Sequence, residues 1–505
     1  MKLFKLMDGV NFTSNLSLEE IKNIDIKDIA YNFNSCEDGF MFVALIGATV
    51  DGHSFVEEAY NRGVRVFLVQ KNMENDKNIL SLNEDAIKIY VDNTRRALSR
   101  ISHNFFLHPS KELKIIGVTG TKGKTTITNY ISSVLNKAGL NTGVIGTNGV
   151  FYNEIAEDTV NTTPESYEIH RILRKMLDSG VQCVTMEVSS GGIMHYRVED
   201  VDFDVAIFSN LSPDHIGPKE HHSFEHYLNC KAKLFKMTKF AIINVDDKHA
   251  NEIIANCECN IETFSIHGKG DLNAININHS KKIDSLGVTF DYSKDGHITK
   301  SCFICSPGIF SVYNALAVIS VCKYLGISQE NILNALKSAK VKGRVEVLNI
   351  LPYANIIIDY AHNGISLENI LQTLKNYEYN RLICLVGSIG GRTETRRKEV
   401  GDVIAKECDL AILTSYNPNF EDPMDIINDI SKSFIDSSCH VIKIPDREDA
   451  IREAINIAQE GDIIVLAGKG HENYQLIQGK KIPFNESEIA KDAARKVLEK
   501  RKQLS

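Results

Sequence analysis

The sequence predicts an α/β fold with two doubly wound parallel sheets that follow a smaller N-terminal region. Two series of short, β-rich apolar runs alternate with segments of helical periodicity. The first series begins at Leu113 and comprises "LKIIGV", "TGVIG", "VQCVTMEV", "FDVAIFSN" and "KFAIINVDD". The second begins near Arg344 and comprises "NIIIDY", "RLICLVGS", "DLAILTS", "HVIKI" and "DIIVLAG". Apolar runs of this length, separated by helices, are typical of strands buried in parallel sheets.

Length and local pattern predict three domains. The chain has 505 residues, of which 43% are hydrophobic, and is therefore long enough for about three separate cores. Short mixed elements, including "GFMFVALIG" and "VRVFLVQ", fill the region up to about residue 108, and "HPSKE" is predicted to be a linker. We expect domains over residues 1–108, 109–341 and 342–505.

Composition and charge exclude several classes of protein. Lys and Arg number 57 against 65 Asp and Glu, which gives a net charge of −8 and no bulk positive field for a nucleic acid. The sequence contains no apolar stretch long enough to span a bilayer and no signal peptide, so we expect a cytoplasmic protein without membrane insertion. The 11 cysteines are scattered, which favours reduced thiols. A zinc site built from "CEC" and "CFIC" is disfavoured because "CEC" lacks the usual spacer.

The stretch "GVTGTKGKTTITNY" predicts a phosphate-binding loop between a strand and a helix. Glycines at 120 and 123 let backbone N–H groups turn toward a phosphate, Lys124 can reach the β and γ oxygens, and Thr125 can bind magnesium. Val118 stands where the general motif has its first glycine, and a plain glycine turn is the alternative. The predicted nucleotide contacts are Gly120, Thr121, Lys122, Gly123, Lys124, Thr125 and Thr126. This loop indicates ATP or GTP binding but does not decide among kinase, motor and ligase.

Two further polar residues follow buried strands. Glu187 of "TMEVSS" is placed at the carboxyl end of one strand, and His215 of "SNLSPDH" is placed just beyond the next. Open α/β sheets bind ligands at the carboxyl ends of their strands. Together a carboxylate and an imidazole could hold a second metal ion. Taken separately, Glu187 could be a strand-end charge and His215 a neighbour of a helix cap.

An ordered set of motifs resembles the Mur ligases of peptidoglycan synthesis, and within them the MurE type. The set comprises "TGTKGKTT", "NTTPES", "EVSS", "NLSPDH", "YLNCKAKLF", "GRVEVL", "IIDYAHN", "NPNFEDP" and "AGKGHENYQ". The resemblance implies an N-terminal domain for the UDP end of the substrate, a central P-loop ATPase domain and a C-terminal Rossmann-like domain for the incoming amino acid. It implies addition of the third amino acid to UDP-N-acetylmuramoyl-L-alanyl-D-glutamate, through an acyl phosphate made from ATP, by a monomeric enzyme.

The resemblance also implies roles for individual residues. Catalysis would depend on Lys124, on Mg²⁺ at Thr125 and Glu187, and on a second ion at His215 that Lys231 helps to hold as N6-carboxylysine. The implied contacts with the muramoyl dipeptide are Thr162, Thr163, Ser189 and Arg197. The implied contacts with ATP in the last part of the chain are Asn314, Arg344, Asp359 and His362. The Asp-Ser-Arg that contacts uridine in the family falls here on Asn32-Phe33-Asn34, a departure.

The amino acid that is added is predicted from Asn417-Pro418-Asn419. Diaminopimelate enzymes of the family carry arginine at the third position, where a guanidinium pairs with the distal carboxylate of the substrate. Asn419 cannot form that pair, so L-lysine is favoured and meso-diaminopimelate is the alternative. Gly468 and Glu472 of "GKGHE" are also predicted to contact the amino acid, and Arg392 could supply the missing guanidinium. Alternatives of other classes are a folylpolyglutamate synthetase, a P-loop kinase or motor, and an inactive ATP-binding scaffold.

Overall fold

The structure is a computed structural model that describes residues 1–47, 50–214, 216–217, 220–280, 286–391 and 394–504. The chain forms two compact units, one of residues 1–264 and 320–325 and the other of residues 265–319 and 326–505. Neither unit ends at residue 108 or 341, and the three domain boundaries drawn from the sequence stay a prediction. Within the described part of the chain, no helix is both long and apolar enough to cross a bilayer.

Helices and strands alternate along most of the described chain. The helices are α1 (Leu3–Leu6), α2 (Leu18–Ile21), α3 (Val56–Asn61), α4 (Lys77–Leu80), α5 (Thr94–Phe105), α6 (Lys124–Lys137), α7 (Ser166–Asp178), α8 (Ser190–Met194), α9 (Phe224–Ala232), α10 (Ala250–Ile254), α11 (Ile309–Tyr324), α12 (Gln329–Leu336), α13 (Gly364–Leu374), α14 (Glu394–Glu407), α15 (Pro423–Ser431), α16 (Arg447–Asn456) and α17 (Glu486–Leu504). The strands are β1 (Thr13–Ser14), β2 (Asp28–Ala30), β3 (Phe40–Val43), β4 (Val66–Gln70), β5 (Ile87–Val91), β6 (Lys114–Thr119), β7 (Thr142–Gly146), β8 (Gly149–Tyr152), β9 (Ile155–Glu157), β10 (Cys183–Glu187), β11 (Phe203–Phe208), β12 (Thr238–Asn244), β13 (Asn260–Ser265), β14 (Leu272–Ser280), β15 (Gly287–Lys294), β16 (His297–Ile304), β17 (Glu346–Leu351), β18 (Ala354–Asp359), β19 (Leu382–Val386), β20 (Leu410–Leu413), β21 (His440–Lys443), β22 (Ile463–Ala467), β23 (Tyr474–Ile477) and β24 (Lys480–Pro483). Every apolar run of the two series quoted above contains a strand, and β21 alone among these strands has no buried residue.

The first unit begins with a sheet of order β1-β5-β4-β3-β2, in which β1 is antiparallel to β5 and the other pairs are parallel. Its successive side chains alternate between two cores, with Met41 and Leu68 in one and Phe42 and Phe67 in the other. This alternation follows from the two-residue period of a strand. Both faces of the sheet are therefore covered.

The second sheet of this unit positions the glycine loop. Its order is β13-β12-β11-β6-β10-β7, all parallel, and β8 and β9 continue it as antiparallel strands. The register pairs Glu187 with Val118 and Phe208 with Thr119. Because the carboxyl ends of parallel strands meet at one edge, the loop after β6 and the carboxylate at the end of β10 lie at the same edge.

The second unit contains the other predicted sheet, of order β17-β18-β22-β19-β20-β21, in which only β17 is antiparallel among the described strands. Asp359 pairs in register with Ala467, so the segments after β18 and β22 begin side by side. Strands β14, β15 and β16 form an antiparallel meander, and β23 and β24 form a hairpin. The sequence analysis did not predict the meander.

The predicted linker "HPSKE" is packed against the first unit. Pro109 and Ser110 are buried, and Ser110 Oγ donates to Asp202 Oδ2 at 2.8 Å. Beside it lies a cluster of three imidazoles: His103 of α5 contacts His108 at 4.4 Å and His170 of α7 at 5.1 Å between ring centroids. This segment is therefore part of a core.

Burial disfavours the charged form of two rings of this cluster, His103 and His170. His170 is fully buried, and neither of its ring nitrogens has a hydrogen-bond partner among the described residues. Burial lowers the pKa of His170 well below its usual range, and the neighbouring imidazoles and Arg100 lower it further. Burial also lowers the pKa of His103 to about 4. Protonation of either ring would place a charge where no water can solvate it.

We expect acid to destabilise the first unit through these rings. An unfolded histidine has a pKa of about 6.5, so below that pH the unfolded chain binds protons that the buried rings do not. The free energy of unfolding therefore has its full value above pH 6.5. Between pH 6.5 and pH 4 it falls by roughly 1.4 kcal/mol per pH unit for each buried ring. In thermal melts, His170→Phe should lose less stability than wild type over this window, whereas the exposed His297→Gln should follow wild type. Identical pH profiles for wild type and His170→Phe would contradict this prediction.

Candidate active site

The glycine loop after β6 has the geometry of a phosphate cradle. Gly120 has φ +150° and Gly123 has φ +89°, so both adopt backbone conformations that other residues avoid. A side chain at position 120 would also collide with Ser209 Oγ. Helix α6 begins at Lys124 directly after Gly123, so its N-terminal N–H groups and partial positive charge are directed at the loop.

The segment that follows β11 holds this loop in shape. Asn210 accepts from Lys122 N at 2.9 Å and donates to Lys122 O at 3.0 Å. Ser209 Oγ donates to Lys122 O at 2.7 Å. Thr121 Oγ1 lies 3.1 Å from the hydroxyl of the buried Tyr227. The loop is therefore fixed by side chains from two other elements before a nucleotide arrives.

Two lysine side chains converge on one carbonyl of the loop. Lys124 Nζ donates to Gly120 O at 2.8 Å, and Lys231 Nζ of α9 donates to the same oxygen at 2.9 Å. Lys124 Nζ also donates to Thr121 O at 3.2 Å. Two ammonium groups so close would repel each other, and one of them has to be neutral or become anionic.

Of these two lysines, Lys231 is the one whose surroundings disfavour the charged form. Its side chain is 1% exposed, and its nitrogen lies 4.7 Å from the centroid of the Tyr227 ring. Burial lowers the pKa of Lys231 well below its usual range, and the neighbouring Lys124 lowers it further. A neutral amine at this position is a nucleophile, which is the form that carbamylation requires.

Glu187 supplies a buried carboxylate at the same sheet edge. It is 1% exposed, its Oε1 accepts from Thr147 N at 2.9 Å, and its Oε2 accepts from Thr147 Oγ1 at 3.2 Å. Thr147 Oγ1 in turn lies 2.9 Å from Thr162 Oγ1. Carboxylate and hydroxyl oxygens are the ligands that Mg²⁺ prefers, so Glu187 and the buried Thr125 fit that ion.

The predicted dipeptide contacts form a connected network beside Glu187. Thr163 Oγ1 donates to Glu187 O at 2.9 Å, and Ser189 N donates to Thr163 Oγ1 at 2.9 Å. Ser189 Oγ caps α8 by accepting from Gly192 N at 3.0 Å. Thr162 joins the network through Thr147, so three of the four predicted dipeptide contacts, Thr162, Thr163 and Ser189, lie together.

Arg197, the fourth, belongs to a row of alternating charges. Its Nε donates to Glu165 Oε1 at 2.9 Å, and its Nη1 donates to Thr163 O at 3.0 Å. Arg95 Nη1 also approaches Glu165 Oε1, at 3.2 Å. Two guanidinium groups around one carboxylate leave a net positive charge, which suits an acidic substrate.

Two predicted site residues, His215 and Arg392, lie outside the described residues.

The structure does describe Asn32-Phe33-Asn34, the position at which the family contacts uridine. Asn32 caps a short turn by accepting from Asn34 N at 3.0 Å, and Phe33 stacks on Phe55 with ring centroids 4.7 Å apart. The guanidinium of Arg62 lies 5.7 Å from the Phe33 ring centroid. An aromatic pair with one cation thus occupies the position where the family has Asp-Ser-Arg.

In the second unit, Asp359 organises the residues expected to contact ATP. Its Oδ2 accepts from Val345 N and its Oδ1 from Ala361 N, both at 2.8 Å. Arg344 lies with its guanidinium carbon 4.8 Å from the Tyr360 ring centroid, and His362 contacts the same ring at 4.7 Å. The other predicted ATP contact, Asn314, is a buried residue of α11. Burial lowers the pKa of His362, which favours the neutral ring.

The residues expected to bind the amino acid surround a buried lysine that the sequence analysis did not single out. Lys469 is fully buried, and its Nζ donates to Asn417 Oδ1 at 3.0 Å and to Glu472 Oε2 at 3.1 Å. Glu472 also accepts from Tyr416 OH at 3.2 Å. Burial lowers the pKa of Lys469 to about 8, and Glu472 opposes that shift. Gly468 N donates to Asp359 O at 3.0 Å, which ties this segment to β18.

Asn419 has a structural role that the sequence analysis did not anticipate. Its φ is +54°, in the left-handed region that asparagine tolerates better than most residues. Its Oδ1 accepts from Gly479 N at 2.8 Å, at the turn of the β23–β24 hairpin. The side chain is therefore used within the fold, and the absence of arginine here does not by itself report on the substrate.

Other residues that shape the site also escaped the sequence analysis. Glu165 and Asn210 lie inside motifs already recognised, "NTTPES" and "NLSPDH", so their proximity to the site was available from the motifs. Thr147 follows β7, the strand next to β10, and its position at a strand end is the signal that could have indicated it. Tyr227 lies on α9, one helical turn before Lys231.

Comparison with known proteins assigns the family. The model of the Mur ligase family, catalytic domain, matches residues 26–106, that of the Mur ligase middle domain matches residues 118–322, and that of the Mur ligase, glutamate ligase domain, matches residues 343–470. The chain belongs to the Mur ligase family. A relative from Clostridium perfringens, named UDP-N-acetylmuramoyl-L-alanyl-D-glutamate–2,6-diaminopimelate ligase, is 40% identical over 97% of this chain and 99% of that protein.

Two further comparisons support the same family and fold. A relative of the same name from Caldanaerobacter subterraneus is 36% identical over 97% of this chain and 98% of that protein. A solved structure of a ligase of this name has a TM-score of 0.68 at 27% identity and covers 95% of this chain and 99% of that chain. The resemblance to the MurE type and the three-domain α/β architecture of a Mur ligase are confirmed. This Mur ligase is an ATP-dependent enzyme that forms amide bonds in peptidoglycan synthesis.

We expect Lys124→Ala to abolish ligation while leaving the fold intact. Lys124 would offset negative charge that develops as phosphate is transferred, and the loss of one such donor lowers turnover by roughly 10²–10³-fold. ADP release, measured with the full substrates, checks this. Lys137→Ala, an exposed change at the far end of α6, is the control and should retain wild-type turnover. Near-normal ADP release by Lys124→Ala would remove this lysine from the mechanism.

Proposed function

We propose that this Mur ligase joins meso-2,6-diaminopimelate to the D-glutamate residue of UDP-N-acetylmuramoyl-L-alanyl-D-glutamate, using ATP. The observation that carries the proposal is the name shared by relatives that are 36% and 40% identical over 97% of the chain. The names of those relatives support diaminopimelate as the added amino acid. We therefore propose it in place of L-lysine, which was favoured from Asn419. The Asn419 side chain accepts a hydrogen bond at a hairpin turn, which weakens the inference drawn from this residue about the substrate.

The reaction has two steps. The γ-carboxylate of D-glutamate attacks the γ-phosphorus of ATP, which forms an acyl phosphate and releases ADP. The amine of diaminopimelate then attacks the acyl carbon, an amide bond forms, and inorganic phosphate and a proton leave. The first step brings two anions together, so it needs preorganised positive charge. Lys124 and the N–H groups of the loop, from Gly120 to Thr126, are the groups that would supply it.

Oxygen ligands for Mg²⁺ surround the same sheet edge. Thr125 and Glu187 are proposed to hold one ion, and His215 with carbamylated Lys231 is proposed to hold a second. When bound, Mg²⁺ neutralises phosphate charge and aligns the reacting oxygens. Thr147 holds both oxygens of Glu187 and so fixes the direction of the carboxylate.

Lys231 is proposed to carry a carbamate. Its neutral amine attacks carbon dioxide, a C–N bond forms, and a proton is released to leave –NH–COO⁻. The support is the burial of the amine at 1% exposure and its position 2.9 Å from Gly120 O, beside Lys124. The change replaces a buried amine with an anion opposite a cation, which is favourable in a buried setting.

The dipeptide contacts are proposed to be Thr162, Thr163, Ser189 and Arg197. The positive charge of the Arg95–Glu165–Arg197 row supports recognition of the acidic end of the substrate. The ATP contacts Asn314, Arg344, Asp359 and His362 are retained as proposals on the resemblance.

The amino acid is proposed to bind at the cluster around Lys469. Glu472 is only 12% exposed at its side chain and is held by Lys469, Asn417 and Tyr416, so its carboxylate is preorganised to receive an ammonium group. Gly468 has φ +108° and leaves its segment without a side chain at that point. Arg392 remains the proposed partner of the distal carboxylate.

We expect Lys231→Ala to cripple ligation and short-chain carboxylates to restore part of it. A carboxylate that enters the vacated space can replace the carbamate as a ligand. The direct measurement is ¹³C NMR of the wild-type enzyme in ¹³C-bicarbonate, which should show one carbamate carbon that is absent from the variant.

Lys233→Ala, on the same segment but exposed, is the matched control and should behave as wild type. Full activity of Lys231→Ala, or a carbamate signal that persists in it, would remove this role.

We expect the enzyme to choose meso-diaminopimelate over L-lysine in a direct competition. The products are counted by mass spectrometry with both amino acids at equal concentration. Glu472→Gln should raise KM for diaminopimelate with a smaller effect on KM for ATP, because the amide cannot pair with an ammonium group.

The same assay separates the classes of function. ADP release that needs both the muramoyl dipeptide and an amino acid supports the ligase, whereas ATP hydrolysis without either would favour another activity. A wild-type preference for lysine would sink the diaminopimelate proposal. If Asn419→Arg shifted the preference, position 419 would read the substrate despite its role in the turn.

A further inference from the structure

A cluster of soft metal ligands lies at the start of helix α9, outside the residues that the ligase reaction uses. His221, His226 and Cys230 each present one ligand atom, and these three atoms all lie within 4.8 Å of one another. His221 Nδ1 is 3.2 Å from His226 Nδ1, and Cys230 Sγ is 3.6 Å from His226 Nε2. Among the described residues, no other group of three histidines, cysteines or acids meets this criterion.

The local fold explains how the cluster forms. Ser223 caps α9 by accepting from His226 N at 3.0 Å, which fixes the first turn of the helix. His226 and Cys230 are four residues apart and so lie on one helix face. His221 precedes the cap and packs back on this face, with its ring centroid 5.0 Å from that of His226.

Burial separates this cluster from the histidines that are common on protein surfaces. His221 is 2% exposed and Cys230 is 1% exposed. His222, by contrast, is exposed and stacks on the outer side of the His226 ring, with centroids 4.2 Å apart. The cluster thus has a buried side, formed by a thiol and an imidazole, and one partly open imidazole through which an ion can enter.

Each of the two short distances is close to the separation of two ligand atoms on a tetrahedral ion. With Zn–N near 2.05 Å and Zn–S near 2.3 Å, two nitrogens on one zinc lie about 3.3 Å apart, and a nitrogen and a sulfur about 3.5 Å apart. The two short contacts use different nitrogens of His226, and with one ligand atom from each residue the three atoms lie within 4.8 Å of one another. Binding therefore requires the side chains to move closer together. Imidazole and thiolate together select zinc-class ions over Mg²⁺, which prefers oxygen.

We propose that His221, His226 and Cys230 bind a zinc-class divalent cation, with water in the fourth position. Binding releases the thiol proton and places a thiolate directly before Lys231 in the chain. The ion would tie the segment before α9 to the helix that carries Lys231. This site is distinct from the proposed Mg²⁺ ligands, and it does not depend on which amino acid the enzyme adds.

Cobalt provides the test, because a thiolate ligand gives Co²⁺ a charge-transfer absorption in the near ultraviolet and a tetrahedral site gives intense visible bands. The full-length protein, freed of metal with a chelator, should bind one Co²⁺ with both signals. Zn²⁺ should displace it, and a large excess of Mg²⁺ should not. Cys230→Ser should lose the charge-transfer band, and His226→Gln should weaken Co²⁺ binding by about tenfold or more.

Cys257→Ser is the matched control, because Cys257 is a half-buried thiol of the same unit outside the cluster, and it should bind Co²⁺ as wild type does. A charge-transfer band that survives in Cys230→Ser, or no saturable binding by wild type, would overturn the proposal. If the variants do not fold, a measurement on the wild-type protein tests the proposal. Zn²⁺ should slow the alkylation of Cys230 by iodoacetamide, measured by peptide mapping. Alkylation at an unchanged rate would refute the site.

Discussion

The carbonyl oxygen of Gly120 is the point on which the phosphate site depends. It accepts from both Lys124 Nζ and Lys231 Nζ, so a single backbone atom joins the loop, the first turn of α6 and the last turn of α9. The carbonyl takes this direction because Gly120 has a backbone conformation that other residues avoid. The clamp from Ser209 and Asn210 holds the loop from its other side. The shape and charge of the site therefore come from the glycine loop and from three elements that contact it: α6, α9 and the segment after β11.

Most of the fold could be predicted from the sequence because strands buried in parallel sheets are short apolar runs that alternate with helical segments. Most strands of the two doubly wound sheets are short apolar runs, and Glu187 and Asp359 stand at strand ends, where this fold places ligand-binding groups. What the sequence could not supply are contacts between distant segments. Lys231 meets Gly120 across 111 residues, and only the resemblance singled it out. The imidazole cluster of His103, His108 and His170 was missed for the same reason, since no local pattern joins two helices and a turn.

Asn419 shows what a local electrostatic inference about specificity leaves out even when its chemistry is sound. An arginine does match a distal carboxylate better than an amide does, but the inference assumed that the side chain points toward the substrate. In the structure the residue has φ +54° and its amide oxygen accepts from Gly479 N. The backbone turn therefore gives asparagine a structural reason to stand here that is independent of the substrate. A specificity argument from one residue therefore needs the backbone conformation of that residue first.

The buried Lys231 also explains how one side chain can serve both the fold and the chemistry. As an ammonium it would lie beside Lys124 in a water-free setting, and burial together with that neighbour favours the neutral amine. The neutral amine keeps its hydrogen bond to Gly120 O, and a carbamate, which retains one N–H, can keep it as well. Carbamylation would thus leave the loop unchanged while it replaces a neutral group with an anion opposite Lys124. A residue that only had to hold the loop would not need to be a lysine, because a neutral amide donor could do so without the cost of burying an amine.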